Sequence, residues 1–233
     1  MKSFIRVMMI IVSMFFLVSL CSQVWARPPM VKQENKEQEP VAIPKEPIKK
    51  EPLKVPKVPQ KVVKCGKKTA TIVGTEGNDT IQGTPGDDVI HGLGGNDTIY
   101  GGGGADIICG GDGDDTLYGN TDGDALYGEN GNDKLYGGYG KNWLEGGPGN
   151  DILNGGDDLD YLNGGPGNDK LYGWSGNDGL EGESGHDVLG GGPDNDTLKG
   201  GPGNDTLDGG EGTSDNCEGG DGEDTVINCE GIY

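Results

Sequence analysis

The sequence has little of what builds an ordinary globular core. Hydrophobic residues make up 31% of the 233 residues and aromatic residues 6%, whereas apolar residues usually supply about 45–50% of a soluble domain. Glycine, in contrast, occurs 48 times. Hydrophobic burial alone cannot stabilise a fold of this length from so little apolar material, so we expect another source of stability.

Histidine is also scarce, and the common catalytic motifs are missing. The two histidines are His91 and His186, and the sequence has no Walker loop, no Rossmann glycine pattern and no plausible Ser/His/Asp set. Metal ligation explains the many aspartates better than acid–base catalysis does. We therefore expect that the protein is not an enzyme.

Positive charge is nearly absent from most of the chain. Residues 1–68 carry 14 Lys and Arg against 5 Glu, whereas residues 69–233 carry 4 Lys against 34 Asp and Glu, a net charge of −30. A segment with so much like charge and so few apolar residues stays disordered unless a cation neutralises it. The same charge would repel a phosphate backbone, which argues against nucleic-acid binding.

The longest apolar run lies near the N-terminus. Lys2 and Arg6 precede the apolar residues 7–20, so residues 1–26 are predicted to be a secretory signal peptide. The run is shorter than the ~20 residues of a membrane span, so an uncleaved anchor is disfavoured and no span is expected after cleavage. Lipidation at Cys21 is a further alternative.

Residues 27–64 contain eight prolines among Lys and Glu residues. Such a composition predicts an extended spacer without a core. The functional alternative is a stalk, or a basic tether to an anionic polymer of the cell envelope.

Residues 74–227 consist of nine-residue units. Seventeen copies follow one another, and only the sixteenth, Gly209–Glu218, has one extra residue. In each copy the first residue is Gly, the sixth is Asp in all copies but one, and the eighth is apolar. A fixed short period of this kind indicates a stacked repeat architecture.

Each unit, such as Gly92–Tyr100, predicts a tight turn followed by a short strand. Gly, Asn and Asp in the first six positions tolerate positive φ, and strand alternation points the eighth residue inward. Two units form one 18-residue coil of an all-β, right-handed parallel β-roll. At a strand spacing of ~4.8 Å, the array makes a rod about 40 Å long. Residues 65–73 are predicted to form a capping strand, and residues 74–233 the roll.

The sixth position of each unit is the candidate metal ligand. Carboxylates one coil apart share a groove with turn carbonyl oxygens, and a flexible cage of oxygen ligands suits Ca²⁺ better than Mg²⁺. Seventeen copies allow up to about 15 Ca²⁺ ions between stacked turns, and their binding would be coupled to folding. The single exception to aspartate is Asn142. The candidate ligands are Asp79, Asp88, Asp97, Asp106, Asp115, Asp124, Asp133, Asp151, Asp160, Asp169, Asp178, Asp187, Asp196, Asp205, Asp215 and Asp224.

The unit resembles the RTX (haemolysin-type calcium-binding) nonapeptide Gly-Gly-x-Gly-x-Asp-x-U-x, where U is apolar. Gly164–Tyr172 matches this motif at every defined position. The resemblance implies a parallel β-roll that binds Ca²⁺ between successive turns through the Asp and turn carbonyls. In that family the roll commonly accompanies a toxin, protease or lipase domain and a C-terminal export signal, neither of which this sequence shows. We therefore expect a stand-alone, monomeric, bacterial-type calcium-binding protein that is secreted or at the cell surface.

Four cysteines follow the predicted signal peptide. An even number in an exported chain indicates two disulfides, for which three connectivities are possible. We expect Cys217–Cys229 to close the last turn and Cys65–Cys109 to hold the front cap.

Tyr100, Tyr118 and Tyr136 lie 18 residues apart and are predicted to stack on the outer face of the roll. The alternative is an aromatic platform for sugar rings, which would make the protein an adhesin or a glycan-binding module.

A second spacing concerns the fourth position of the unit, which is usually Gly. It is Asp at Asp122, Asp158 and Asp194, which lie 36 residues apart and hence on one side of the roll. Asp tolerates the left-handed turn geometry, although additional charge for Ca²⁺ is an alternative role.

Overall fold

The structure, a computed structural model, describes residues 62–232. The predicted signal peptide and the predicted linker up to residue 61 lie outside the described residues. Within residues 62–232, no helix is long and apolar enough to cross a membrane.

The described chain is built of short strands joined by turns. In chain order the strands are β1 (Lys64–Cys65), β2 (Lys68–Thr69), β3 (Ile72–Val73), β4 (Thr80–Gln82), β5 (Val89–Gly94), β6 (Thr98–Gly102), β7 (Ile107–Asp112), β8 (Thr116–Asn120), β9 (Ala125–Asn130), β10 (Lys134–Gly138), β11 (Trp143–Glu145), β12 (Ile152–Asp157), β13 (Tyr161–Pro166), β14 (Lys170–Ser175), β15 (Gly179–Ser184), β16 (Val188–Pro193), β17 (Thr197–Pro202), β18 (Thr206–Glu211), β19 (Asn216–Asp221), β20 (Thr225–Ile227) and β21 (Gly231–Ile232).

From β3 onward, consecutive strands alternate between two parallel sheets. The even-numbered strands β4 to β20 form a nine-stranded sheet, and the odd-numbered strands β3 to β21 form a ten-stranded sheet. Neighbours in a sheet pair one coil apart, as Leu135 does with Leu153. The all-β parallel roll predicted from the nine-residue period is therefore confirmed.

The eighth residue of each unit forms the core. From Ile90 to Cys217, every such side chain is at most 1% exposed. Ile72 and Val226 pack against the two ends of this column and are partly buried. Because each strand contributes one inward side chain, the core is a single file of Ile and Leu between the two sheets, as the period predicts.

The extra residue of the sixteenth unit lies in a turn. The amide of Thr213 donates to Asn195 Oδ1 across 18 residues, whereas the amide of Asp196 donates to Asp215 Oδ1 across 19 residues. Ser214 is therefore the inserted residue. The strands that follow stay in phase, with Cys217 paired to Leu198.

The predicted capping segment, residues 65–73, does not form one continuous strand. Strands β1 and β2 form an antiparallel hairpin that includes Lys64, and Gly66 in its turn has a φ of 55°. Only β3 continues the roll, by pairing with β5. The reversal at Gly66 divides the segment, because a left-handed glycine cannot continue a strand.

Both expected disulfides are present, which confirms the predicted connectivity. Cys65–Cys109 attaches the hairpin to β7, and Cys217–Cys229 joins β19 to the segment that follows β20. Each end of the roll is therefore covalently fastened.

Candidate metal centre

The turns of the roll form two rows, one along each edge. The first turn row precedes the nine-stranded sheet, and its turns end at Asp79, Asp97, Asp115, Asp133, Asp151, Asp169, Asp187, Asp205 and Asp224. The second turn row precedes the ten-stranded sheet, and its turns end at Asp88, Asp106, Asp124, Asn142, Asp160, Asp178, Asp196 and Asp215. All sixteen predicted ligands thus lie in one of two columns that run along the roll.

From the second coil onward, one oxygen of each side chain in these columns ties neighbouring coils together. The amide of Asp133 donates to Asp151 Oδ1 at 2.7 Å, and the amide of Asp151 donates to Asp169 Oδ1 at 2.7 Å. The same hydrogen bond joins each pair of neighbouring coils, from the bond between Asp79 and Asp97 to the bond between Asp205 and Asp224. At the C-terminal end, Glu230 Oε2 accepts from the amide of Asp215 at 2.8 Å and so replaces the missing next coil.

The other carboxylate oxygen, Oδ2, is buried without a hydrogen-bond partner in thirteen of the sixteen aspartates. A buried charged atom that lacks a partner is costly, so a site of this kind calls for a cation or a proton. The thirteen residues are Asp97, Asp106, Asp115, Asp124, Asp133, Asp151, Asp160, Asp169, Asp178, Asp187, Asp196, Asp205 and Asp215.

The electrostatics of these carboxyls point to the same need. Burial raises the pKa of Asp115, Asp124 and Asp151 to about 7, and that of Asp133 to about 6, from 3.8. The amide hydrogen bond from the preceding coil opposes this shift, and neighbouring carboxylates add to it. In the absence of a cation, the columns therefore hold negative charge poorly at neutral pH.

Asn142 shows which main-chain oxygen faces the end of a sixth-position side chain. Its Nδ2 donates to the carbonyl oxygen of Gly140, in the same turn, at 2.9 Å. In the turns with Asp at this position, Oδ2 cannot donate such a bond, and it has no hydrogen-bond partner in thirteen of them. A buried oxygen without a partner fits a cation.

The ligand chemistry favours calcium among common cations. Within residues 62–232, no three His, Cys, Asp or Glu side chains converge on one point. A cation in these turns would therefore take at most two carboxylate groups and complete its shell with turn carbonyl oxygens. Ca²⁺ accepts such flexible sets of oxygen ligands, whereas Zn²⁺ and Cu²⁺ prefer nitrogen or sulfur. The residues present thus fit the predicted ion.

Glycine at the first position makes room for the carboxylate. A Cβ at Gly146 would collide with Asp151 Oδ2, and the same clash recurs along both columns. The repeat keeps glycine there because the carboxylate lies directly over the glycine Cα.

The first two turns differ from the later ones in a way that the repeat pattern did not predict. Asp79 Oδ2 accepts hydrogen bonds from the amide and hydroxyl of Thr75, at 2.7 and 2.8 Å. Asp88 Oδ2 accepts one from the amide of Thr84 at 2.6 Å. The available signal was threonine at the second position, which occurs only in these two copies.

The two turn rows also differ at the fifth position. In the first row an unbroken ladder runs from Asn78 to Glu223, in which each side chain accepts a hydrogen bond from the amide one coil later. In the second row Ala105, Gly123, Lys141 and Leu159 offer no acceptor, so the fifth-position ladder is interrupted in the middle of this row. There Asp122 Oδ2 instead accepts a hydrogen bond from the amide of Gly104, one coil earlier, at 3.1 Å.

The three aspartates at the fourth position lie in the second turn row, on one side as predicted. Their φ values are 73° for Asp122, 71° for Asp158 and 84° for Asp194. All three therefore have left-handed φ values, and most glycines in this position have larger positive values, from 92° to 158°.

The outer face of the nine-stranded sheet carries the predicted tyrosine ladder. The rings of Tyr100 and Tyr118 lie 4.8 Å apart, and those of Tyr118 and Tyr136 lie 5.0 Å apart, nearly parallel in each pair. The prediction of stacking is confirmed. Both faces of Tyr118 are covered by its neighbours, so that ring cannot stack on a sugar.

A cleft of about 440 Å³ opens further along the same face. It lies where Gly190 interrupts the column of large side chains, between Tyr172 and Asp208. Trp174, which is 59% exposed, forms one wall. The indole nitrogen of Trp174 donates to Asn154 Oδ1 at 3.3 Å, which holds the ring in place.

Comparison with protein families agrees with the geometry of the turns. A model of the RTX calcium-binding nonapeptide repeat, in four copies, matches residues 73–108, 82–117, 110–138, 118–153, 136–170, 154–189 and 190–226. A search of curated proteins found no match. Since the matches run without a gap from residue 73 to residue 226, the chain belongs to the RTX calcium-binding nonapeptide repeat family.

Proposed function

We propose that this protein is an extracellular calcium-binding module, not an enzyme, whose roll folds when its turns bind Ca²⁺. The observation that carries the proposal is the set of thirteen buried carboxylate oxygens without a hydrogen-bond partner. The proposed ligands are these oxygens together with turn carbonyls such as that of Gly149. Bound Ca²⁺ would supply the positive charge that the columns lack.

Coupling of folding to calcium follows from the charge and from the thin core. Residues 69–233 carry a net charge of −30, and carboxylates in each column lie one coil apart. The single file of Ile and Leu offers one buried apolar side chain per unit, too little to overcome that repulsion. The free energy of metal binding would therefore be part of the free energy of folding.

An extracellular location is supported by the cysteines and by the type of site. Two disulfides form in oxidising compartments and are rare in the cytosol. Flexible oxygen sites of this kind bind calcium weakly, at about the 10⁻⁴–10⁻³ M levels of extracellular modules. We propose that the chain stays unfolded where calcium is scarce and folds outside the cell.

A calcium titration followed by circular dichroism tests this proposal. The chain should lack β-structure in chelator and gain it cooperatively as calcium is added. Magnesium at the same concentrations should produce less β-structure, because Mg²⁺ demands octahedral geometry. Complete β-structure in chelator would show that folding is independent of calcium.

The cleft at Gly190 supports a second candidate function, the binding of a neutral glycan. Tyr172 presents a ring whose face toward Gly190 is uncovered, and Asp208 offers a carboxylate to hydroxyl donors on the far side. Trp174 adds a largely exposed ring to the wall of the cleft.

A glycan array probed with the calcium-bound protein tests the second function. Trp174→Ala should abolish retention of any glycan that binds. Tyr139→Ala removes another exposed ring, one that is 64% exposed and does not line the cleft, and should leave retention unchanged. Equal loss in both variants would argue against a site at the cleft.

A further inference from the structure

We infer that three turns of this roll, those of Asp79, Asp88 and Asn142, close without a cation because a protein donor takes its place. This inference rests on the proposed binding of calcium in the other turns. These three turns would therefore bind no calcium, whereas the neighbouring turns in the same columns would.

The turn that contains Asn142 is satisfied entirely by the protein. Asn142 Oδ1 accepts a hydrogen bond from the amide of Asp124 at 3.0 Å, as each aspartate does at its own level. Its Nδ2 donates to the carbonyl of Gly140 at 2.9 Å. A Cβ placed on Gly137 would lie 2.6 Å from Asn142 Nδ2, so this nitrogen lies where the other turns have Oδ2.

An amide group at this position has two consequences for binding. It carries no negative charge to attract a cation, and its N–H group points at the carbonyl that would otherwise be a ligand. Both hydrogen bonds also fix which atom of the amide is oxygen and which is nitrogen. Asn142 Nδ2 thus lies where a calcium ion would bind and donates to the carbonyl oxygen that would be a ligand of that ion.

The first two turns reach the same result through threonine. The amide of Thr75 donates to Asp79 Oδ2 and the amide of Thr84 donates to Asp88 Oδ2. These carboxylates therefore lack the unpartnered buried oxygen that the aspartates from Asp97 to Asp215 have.

The backbone explains why threonine causes the change. From the third copy onward, the second residue has positive φ, from Leu93 at 87° to Gly220 at 105°, whereas Thr75 and Thr84 do not. A β-branched residue strongly disfavours positive φ. The threonine turn therefore keeps its amide aimed at the carboxylate, and the left-handed turns lose that donor.

The position of these turns gives them a use. The two threonine turns form the first coil of the roll, next to the Cys65–Cys109 disulfide. That coil can close before calcium binds and can serve as a template for the coils that follow. The number of bound ions should then match the thirteen unpartnered oxygens. It should be smaller than the number of grooves between stacked turns.

Counting bound ions by native mass spectrometry of the calcium-saturated protein tests the inference. Asn142→Asp should bind one ion more than the wild type. Thr84→Gly should also bind one more, because a left-handed second residue frees Asp88 Oδ2. Each variant gains a site, so a merely damaged fold would give the opposite result.

Two matched controls lie in the same turn row. Asn120→Asp adds the same charge at an exposed residue whose φ is already 81°. Thr121→Gly makes the same deletion at an exposed third position. Neither control should change the number of ions.

The possible outcomes separate this inference from the proposed function. If the wild type binds calcium and Asn142→Asp gains no ion, the inference is wrong while calcium binding stands. If the wild type binds no calcium, the proposed function fails. Should Asn142→Asp not fold, the ion counts of Thr84→Gly and of the wild type decide. No gain in Thr84→Gly, or more than thirteen ions in the wild type, would overturn the inference.

Discussion

Replacement of Asp151 by Asn should stabilise the roll when calcium is scarce and leave its stability nearly unchanged when calcium is abundant. The carboxylate of Asp151 is buried, Oδ1 accepts from the amide of Asp133 at 2.7 Å, and Oδ2 has no partner. Asparagine keeps the first bond and adds an amide nitrogen where Oδ2 lies. By the geometry of Asn142, that nitrogen should donate to the carbonyl of Gly149.

The magnitude follows from the removed oxygen and from the lost ion. An unpartnered buried polar group costs about 1–3 kcal/mol, and more if charged, so the calcium-free roll should gain at least that stability. One bound ion contributes about 2.7 kcal/mol when free calcium is 100 times the dissociation constant. In calcium the two terms nearly cancel, and the stabilisation by calcium should shrink by about 2.7 kcal/mol.

Urea unfolding at a series of calcium concentrations measures both effects. The free energy of unfolding should rise less steeply with the logarithm of calcium in Asp151→Asn, by one ion, and should exceed the wild-type value at the lowest calcium. Asp157→Asn, which removes the same charge from an exposed residue, should match the wild type in slope. A variant with the wild-type slope, or one less stable than the wild type at the lowest calcium concentration at which both fold, would refute the assignment of Asp151 Oδ2 as a calcium ligand.

Three further predictions concern pH, glycine and the front disulfide. Burial raises the pKa of column carboxyls from 3.8 to about 6 or 7, so the folded calcium-free roll binds protons that the unfolded chain releases. The stability that these carboxyls contribute is therefore fully present below about pH 4 and is lost as the pH rises through 6 to 7. Circular dichroism in chelator should accordingly show more β-structure at pH 5 than at pH 7.5. Gly149→Ala would place a Cβ against the carbonyl oxygen of Gly131 at a φ of 158°. It should lower the free energy of unfolding in calcium by about 2–4 kcal/mol, whereas Gly86→Ala, with open space around it, should change it by less than about 0.5 kcal/mol. Joint replacement of Cys65 and Cys109 by Ser opens a link across 44 residues and should cost about 4 kcal/mol in chain entropy. The number of bound ions should stay constant, and a lower number would mean that the hairpin helps to form a site.

The sequence was sufficient for the fold because one short pattern is repeated with little variation. Leu153 and its equivalents identify the inward position, and the glycines around them identify the turns. From that spacing alone, both sheets, the pairing of Leu135 with Leu153 and the stack of Tyr100, Tyr118 and Tyr136 could be predicted. The prediction worked because each of these features depends only on distance along the chain.

The departures from the pattern could not be interpreted in the same way. That the amide of Asn142 reaches the carbonyl of Gly140 depends on where that carbonyl points. That Thr75 donates to Asp79 depends on the sign of a backbone angle. The opening beside Tyr172 depends on Gly190, which counts as an ordinary variation in the sequence until the strands are stacked. Each of these features is local three-dimensional geometry that spacing does not encode.

The alternation of strands between two sheets makes the parity of the repeat number matter. The outer face of one sheet bears Tyr136 and Tyr172, and that of the other bears Glu145 and Glu181. Deletion of a single nonapeptide would transfer every downstream strand to the opposite sheet and so move residues such as Tyr172 and Glu181 to the other outer face. Deletion or duplication of two nonapeptides would leave each surface intact. The outer faces of the array are therefore preserved only when its length changes in steps of 18 residues. The coil, and not the nonapeptide, is the unit by which the roll can be lengthened or shortened.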